Sequence, residues 1–284
     1  MAVLVLDFDG TMTDAEVEGR PFRDGYLEDL CALVGRPRGD AEIAAIAEAV
    51  EHELAEAPAS HPFEWMGRAV APATVDPYLR MVPIARRILD RFDAIPGAID
   101  RGRLLGSVLY KYNYAKTLGK PAFRAGAGAL LRGLAGTETF IVTNSDTEAV
   151  AGKLAILERT EPGVAWLMPR VRGMARKFDV DDAWAGAPAE LALPGLTRPV
   201  LLRRHHYFDI LASVLAASGA SFADLVVVGD IFELDLALPL ALGARVALVA
   251  SPRTPPYERA YVEAHPRARM IDDLADVARF AFGT

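Results

Sequence analysis

Four short apolar runs punctuate the chain: Val3-Leu4-Val5-Leu6, Thr139-Phe140-Ile141-Val142, Leu225-Val226-Val227-Val228 and Val246-Ala247-Leu248-Val249. Runs of this length and composition, bounded by polar residues or glycine, read as strands buried on both faces. Helical patterns lie between them, which predicts a parallel sheet covered by helices on both sides. Polar residues gather just after three of the runs: Asp7 and Asp9 after the first, Thr143 and Asn144 after the second, Asp230 after the third. Open parallel sheets bind ligands at that carboxyl edge.

The interval from Asp14 to Lys120 differs. Between Asp40 and Ala57, residues Ile43, Ile46, Ala47, Val50 and Leu54 form an apolar stripe, with the glutamates mostly off it; this is an amphipathic helix. Further helices are expected over Met81 to Phe92 and Leu104 to Leu118, with prolines marking the breaks. We therefore expect a Rossmann-like α/β core built from residues 1–15 and 121–284, with residues 16–120 inserted as an α-helical cap. Gly126 to Leu134 reads as a core helix. The stretch from Ala165 to Tyr207 is harder to read: Trp166 to Arg172 and Pro199 to Leu202 suggest strands, and Asp181 to Trp184 a turn entering a short helix. Tyr110, Tyr112 and Tyr114 either line a pocket or pack.

The chain has 284 residues, 52% of them hydrophobic, and a formal net charge of −7. A sizeable core is affordable at this length, and no basic footprint for nucleic acid or an anionic membrane is present. Its one cysteine, Cys31, excludes an internal disulfide and fits a reducing compartment. The longest apolar stretch, Leu236 to Ala250, carries Pro239 and Arg245 and falls short of the roughly 20 residues that span a bilayer. The expected location is cytoplasmic, as a monomer or homodimer, with no nucleic acid or membrane partner.

The candidate chemistry begins at Asp7-Phe8-Asp9-Gly10-Thr11. Side chains alternate along a strand, so Asp7 and Asp9 are expected to face the same side with Phe8 pointing away, and two close carboxylates need a cation or a retained proton. A carboxylate can act as nucleophile towards phosphorus, with a second one moving the proton. Thr143-Asn144-Ser145-Asp146 ends a strand and opens a helix, which suits either an anion site or simple N-capping. Asp230 and Asp235 straddle a strand-to-helix loop and offer the hard oxygen ligands that Mg²⁺ takes. The alternative is a helix N-terminus favoured by its dipole.

Taken in this order, these segments resemble the motifs of the haloacid dehalogenase-like superfamily. Asp7-Phe8-Asp9-Gly10-Thr11 looks like its first motif, Ile141-Val142-Thr143-Asn144 its second, and Val228-Gly229-Asp230 with Asp235 its fourth. The resemblance implies Asp7 as nucleophile, Asp9 as general acid/base, and Thr143 as phosphate ligand. It also implies Asp230 as Mg²⁺ ligand supported by Asp235, with Asp7 and the Asp9 carbonyl facing the same metal. Thr11 and Asn144 are further phosphate-binding candidates. The position of the insertion is similar to that in phosphoglycolate phosphatase-like members, and an acid at Asp9 sets the chain with the phosphatases.

The third motif departs from the pattern. It is normally a lysine upstream of the fourth-motif aspartate, at a spacing that falls here on Arg203-Arg204-His205-His206. Arg204 is the first candidate for catalysis, with Arg203 at the phosphate, because arginine can hold phosphate bidentately. Lys177, the last lysine of the chain, competes if an earlier strand brings it back. The implied activity is Mg²⁺-dependent hydrolysis of a small phosphorylated metabolite. Phosphoryl transfer to another acceptor and a phosphate-binding member that has lost the reaction are the alternatives.

Overall fold

The computed structural model describes residues 2–283, with the backbone alone for residues 98–100. Among the described residues ten strands are formed: β1 (Val3–Leu6), β2 (Pro62–Trp65), β3 (Arg68–Pro72), β4 (Thr139–Val142), β5 (Val171–Arg172), β6 (Glu190–Leu191), β7 (Val200–Leu201), β8 (Leu225–Gly229), β9 (Arg245–Val249) and β10 (Ala268–Ile271). Six of them make one parallel sheet in the order β10-β9-β8-β1-β4-β5. The four apolar runs are β1, β4, β8 and β9, as expected from their composition.

Alternation along these strands builds two cores. Val3, Val5, Val142, Val227 and Leu248 face one layer, while Leu4, Leu6, Ile141, Val228 and Val249 face the other. Each layer is covered by helices, so both faces of the strands must be apolar. From β1 the chain moves outwards through β4 and β5, then returns to the other side of β1 for β8. The crevice between β1 and β8 is the switch point where such sheets bind ligands.

The insertion holds α1 (Ala15–Leu33), α2 (Ala41–Glu56), α3 (Pro77–Arg91), α4 (Ala98–Arg103) and α5 (Tyr110–Tyr114) around its own core, which includes Phe22, Leu30, Ile43, Val50, Met81 and Ile88. Its two connections to the sheet run side by side: Asp14 donates its amide to the Ala122 carbonyl at 2.7 Å, and Arg124 to that of Met12 at 3.0 Å. Three expectations change here. The helix over Met81 to Phe92 begins earlier, at Pro77, because Asp76 caps it by accepting from the Tyr78 amide at 2.6 Å and proline suits the first turn. The single helix expected over Leu104 to Leu118 is broken into a π-helical turn, Leu104–Leu109, and the short α5. The insertion is also not wholly helical, since β2 and β3 form a hairpin within it.

The remaining helices are α6 (Ala127–Gly133), α7 (Thr147–Thr160), α8 (His205–Ser218), α9 (Ala237–Ala241), α10 (Pro256–Ala264) and α11 (Asp276–Phe282). Of the expected strand from Trp166 to Arg172, only Val171 and Arg172 pair; Ala165–Arg170 is a 3₁₀ turn containing Pro169. Val200 and Leu201 do form a strand, paired with β6. Asp181 to Trp184 is a turn that leads into no helix.

Candidate active site

β1 ends at Leu6, and the chain turns at once: the Met12 and Thr13 amides both donate to the Phe8 carbonyl. Gly10 sits at φ +84°, and a Cβ there would lie 2.2 Å from Asp230 Oδ2. Only glycine fits both that dihedral and that approach. The turn separates the two acids that strand alternation would have placed together. Asp7 points at Lys177 and Thr11, while the Asp9 carboxylate goes to Ser145 and Lys153.

Lys177 Nζ donates to Asp7 Oδ1 at 2.6 Å and to Asp235 Oδ1 at 2.8 Å. It is 1% exposed. Burial works against its charge, yet Asp235 and Asp7 more than offset this and raise its pKa. The lysine arrives from β5 along the second-motif loop. Ala175 donates to the Thr143 carbonyl at 2.9 Å, Met174 to the Ser145 carbonyl at 2.8 Å, and the Lys177 amide to Asn144 Oδ1 at 2.7 Å. Gly173 permits this passage, since a Cβ there would lie 2.4 Å from the Thr147 nitrogen.

The expectation for Arg204 is therefore corrected. Its guanidinium is fully buried but bonds carbonyls: Nε to Leu201, Nη2 to Val70 at 2.9 Å, and Nη1 to Lys177 itself. Arg203 turns away as well, donating to the Asp182 carbonyl at 2.7 Å. Residues 178–204, with β6 and β7, stand between Lys177 and α8, so spacing counted back from Asp230 lands beyond the lysine.

Asp7, Asp230 and Asp235 each present an oxygen within 4.8 Å of the others. Thr11 Oγ lies 3.1 Å from both Asp7 Oδ2 and Asp230 Oδ1, and its single proton serves one at a time. Burial, with Asp235 and Asp9 adding repulsion against Lys177, pushes the Asp7 carboxyl up to about 7. Asp230 is raised well above its ordinary value by burial and by Asp7 and Asp235. Ionised together, the three carboxylates would exceed the one ammonium by two charges, and the raised Asp7 and Asp230 carboxyls reflect that crowding of hard oxygens. A divalent cation such as Mg²⁺ fits this donor set and balances that charge. The Asp9 carboxylate is not among these oxygens; it is the backbone carbonyl of Asp9 that was expected to face the metal.

Thr143 is buried at the end of β4, where its hydroxyl accepts from the Ser145 amide at 3.2 Å. Asn144 Oδ1 is taken by the Lys177 backbone. Around Asp9 lie Ser145, of the segment that opens α7, and two residues that pattern reading passed over, Lys153 and Glu18. Ser145 Oγ donates to Asp9 Oδ2 at 2.5 Å and lies 3.3 Å from the Tyr114 hydroxyl. Lys153 Nζ donates to Asp9 Oδ1 at 2.6 Å and pairs with Glu18 of α1. A signal existed: Lys153 falls on the apolar stripe of α7 between Val150 and Leu157, and Glu18 on that of α1 before Phe22.

No protein-family profile and no curated protein matches the chain. Solved structures do. A predicted phosphoglycolate phosphatase from Haemophilus somnus superposes with TM-score 0.53 at 14% identity, over 98% of this chain and 97% of that one. A haloacid dehalogenase-like protein of unknown function from Agrobacterium tumefaciens gives 0.52 at 16%, over 98% and 96%. A HAD hydrolase from Bacillus subtilis bound to magnesium gives 0.51 at 15%, over 99% and 98%. At such identities the likeness speaks for architecture, and on that ground the chain has the fold of the haloacid dehalogenase-like hydrolases.

Proposed function

We propose that this chain is a Mg²⁺-dependent phosphatase acting on a small phosphorylated metabolite, with Asp7 as nucleophile. The observation that carries the reading is the convergence of Asp7, Lys177, Asp230 and Asp235 from three loops at the switch point of the sheet. A bare acidic cluster would not suffice; a lysine bonded to the nucleophile's own carboxylate adds the cation that phosphate chemistry needs. This also weighs against the reading as a member that has lost the reaction, since a lysine does reach the acids.

Asp7, Asp230 and Asp235 would hold Mg²⁺, which supplies positive charge to the phosphoryl oxygens and removes repulsion between phosphate and acids. Asp7 attacks phosphorus while the bond to the leaving oxygen breaks and Asp9 gives that oxygen its proton. The Asp7-phosphoryl bond is then broken by water, whose proton passes to Asp9. Lys177 neutralises charge on the transferring group, the task of a fixed cation in such transfers. Thr143, at the end of β4, would receive a phosphate oxygen through its hydroxyl. The insertion over 16–120 covers the site and excludes bulk water.

The test is turnover of 4-nitrophenyl phosphate with Mg²⁺. Asp7→Asn is expected to abolish it while leaving the circular dichroism spectrum unchanged; an Asp7→Asn protein that turns over normally refutes the assignment.

A further inference from the structure

The Asp9 carboxylate is held at both oxygens, by Ser145 of the loop after β4 and by Lys153 of α7, which none of the motifs above includes. Ser145 Oγ takes Oδ2 at 2.5 Å, and Lys153 Nζ takes Oδ1 at 2.6 Å. Lys153 is 4% exposed, on the inner face of α7 against the Phe8 ring at 5.7 Å. A lysine rarely occupies such a position unless its charge is matched. Here two carboxylates match it, Asp9 of the core turn and the buried Glu18 of α1.

We propose that Lys153 is a positioning residue for the phosphatase reaction, one that aims Asp9 at the leaving oxygen and is itself held in place by Glu18. The inference rests on the phosphatase reading. Donor chemistry gives the arrangement its direction. An ammonium has donors only, so Oδ1 is always an acceptor. The Ser145 hydroxyl can donate or accept, so Oδ2 is the oxygen able to carry the transferable proton. Removing Lys153 frees the carboxylate to rotate, and the proton loses its aim. Because Glu18 lies in the first helix of the insertion, the aim of Asp9 also depends on how α1 is seated on α7.

The experiment compares single-turnover release from 2,4-dinitrophenyl, 4-nitrophenyl and phenyl phosphate with the Mg²⁺-loaded protein. Dinitrophenolate leaves without help, whereas phenolate needs a proton, and positioned general acids contribute about 10²- to 10⁴-fold. Lys153→Met leaves Glu18 unpaired in a buried place, so the double variant Lys153→Met with Glu18→Gln is measured beside it. The expected result is a loss on phenyl phosphate at least about tenfold greater than on dinitrophenyl phosphate, with KM for the two little changed. Equal losses across the series, or no loss, overturn the role of Lys153 while leaving the phosphatase reading intact. Absence of any release by the wild-type protein overturns that reading, and this one with it.

Discussion

Single residues decide how tightly the acids can be gathered. Gly10 →Ala would place a methyl group on Asp230 and force the residue at φ +84° into strain. Such strain costs about 1–3 kcal/mol, and the new Cβ also displaces the Asp230 carboxylate, a proposed metal ligand. Urea denaturation should show the loss, and calorimetry with Mg²⁺ a weaker affinity. Asp76, the cap of α3, carries a second consequence of burial. Desolvation lifts its carboxyl to about 7, against the Tyr78 amide and Arg80, which lower it. The folded protein therefore holds this proton up to about pH 7, while the unfolded chain releases it near 3.8. Stability from this group is present at low pH and falls as pH rises through that window. Asp76→Asn keeps an acceptor for the Tyr78 amide and removes the charge. It should be more stable than the wild type at about pH 8, by at most about 4 kcal/mol, with the difference shrinking as pH falls and little of it left near about pH 4. Urea titrations at the two pH values measure this.

At the scale of elements, the hairpin β2–β3 and the segment 178–204 act together as a brace for the lysine loop. Ala71, Val75, Ile231 and Leu234 form a small core between the hairpin and the loop that carries Asp235. Arg68 pairs with Asp182, and Trp65 Nε1 donates to Asp179 at 2.7 Å. Arg204 ties the pieces by bonding the Val70 and Lys177 carbonyls at once. Burial lowers its pKa to about 10, with Glu233 and Asp235 opposing. Arg204→Met strips donors from buried carbonyls, at about 1–3 kcal/mol for each group left unsatisfied. It should also lower kcat on 4-nitrophenyl phosphate, because Lys177 loses its tether. Unchanged stability together with unchanged turnover would leave the brace without support.

For the whole molecule, the sheet order is what joins distant acids: Asp7 follows β1 and Asp230 follows β8, neighbouring strands at the switch point. No helix among the described residues is long and apolar enough to cross a membrane. A cation held by the proposed cluster of Asp7, Asp230 and Asp235 would bind the folded chain and not the unfolded one. Mg²⁺ at about 100 times its Kd should stabilise the protein by about 2.7 kcal/mol, seen as a higher Tm. Asp230→Asn should lose most of that rise, and a rise of the wild-type size in this variant would argue against the carboxylate cluster as the binding place.

Continuous valine and leucine runs can satisfy their environment in few ways other than as strands buried on both faces, so β1, β4, β8 and β9 were readable from local composition, and with them the edge where Asp7, Thr143 and Asp230 lie. The helical character of residues 40–57 was readable for the same reason, a period of apolar positions. Short pairs carry no such period: strands were expected over Pro199 to Leu202, which holds β7, and over Trp166 to Arg172, of which only β5 pairs, while β6 gave no signal and the hairpin β2–β3 depends on packing against Ile231 and Leu234. Chain spacing pointed to Arg204, but distance along the chain does not measure distance in space once a 27-residue detour separates Lys177 from α8. Which cation meets Asp7, and which pair of partners holds Asp9, were decided by tertiary structure alone, because both are contacts between segments whose approach is set by how the layers pack.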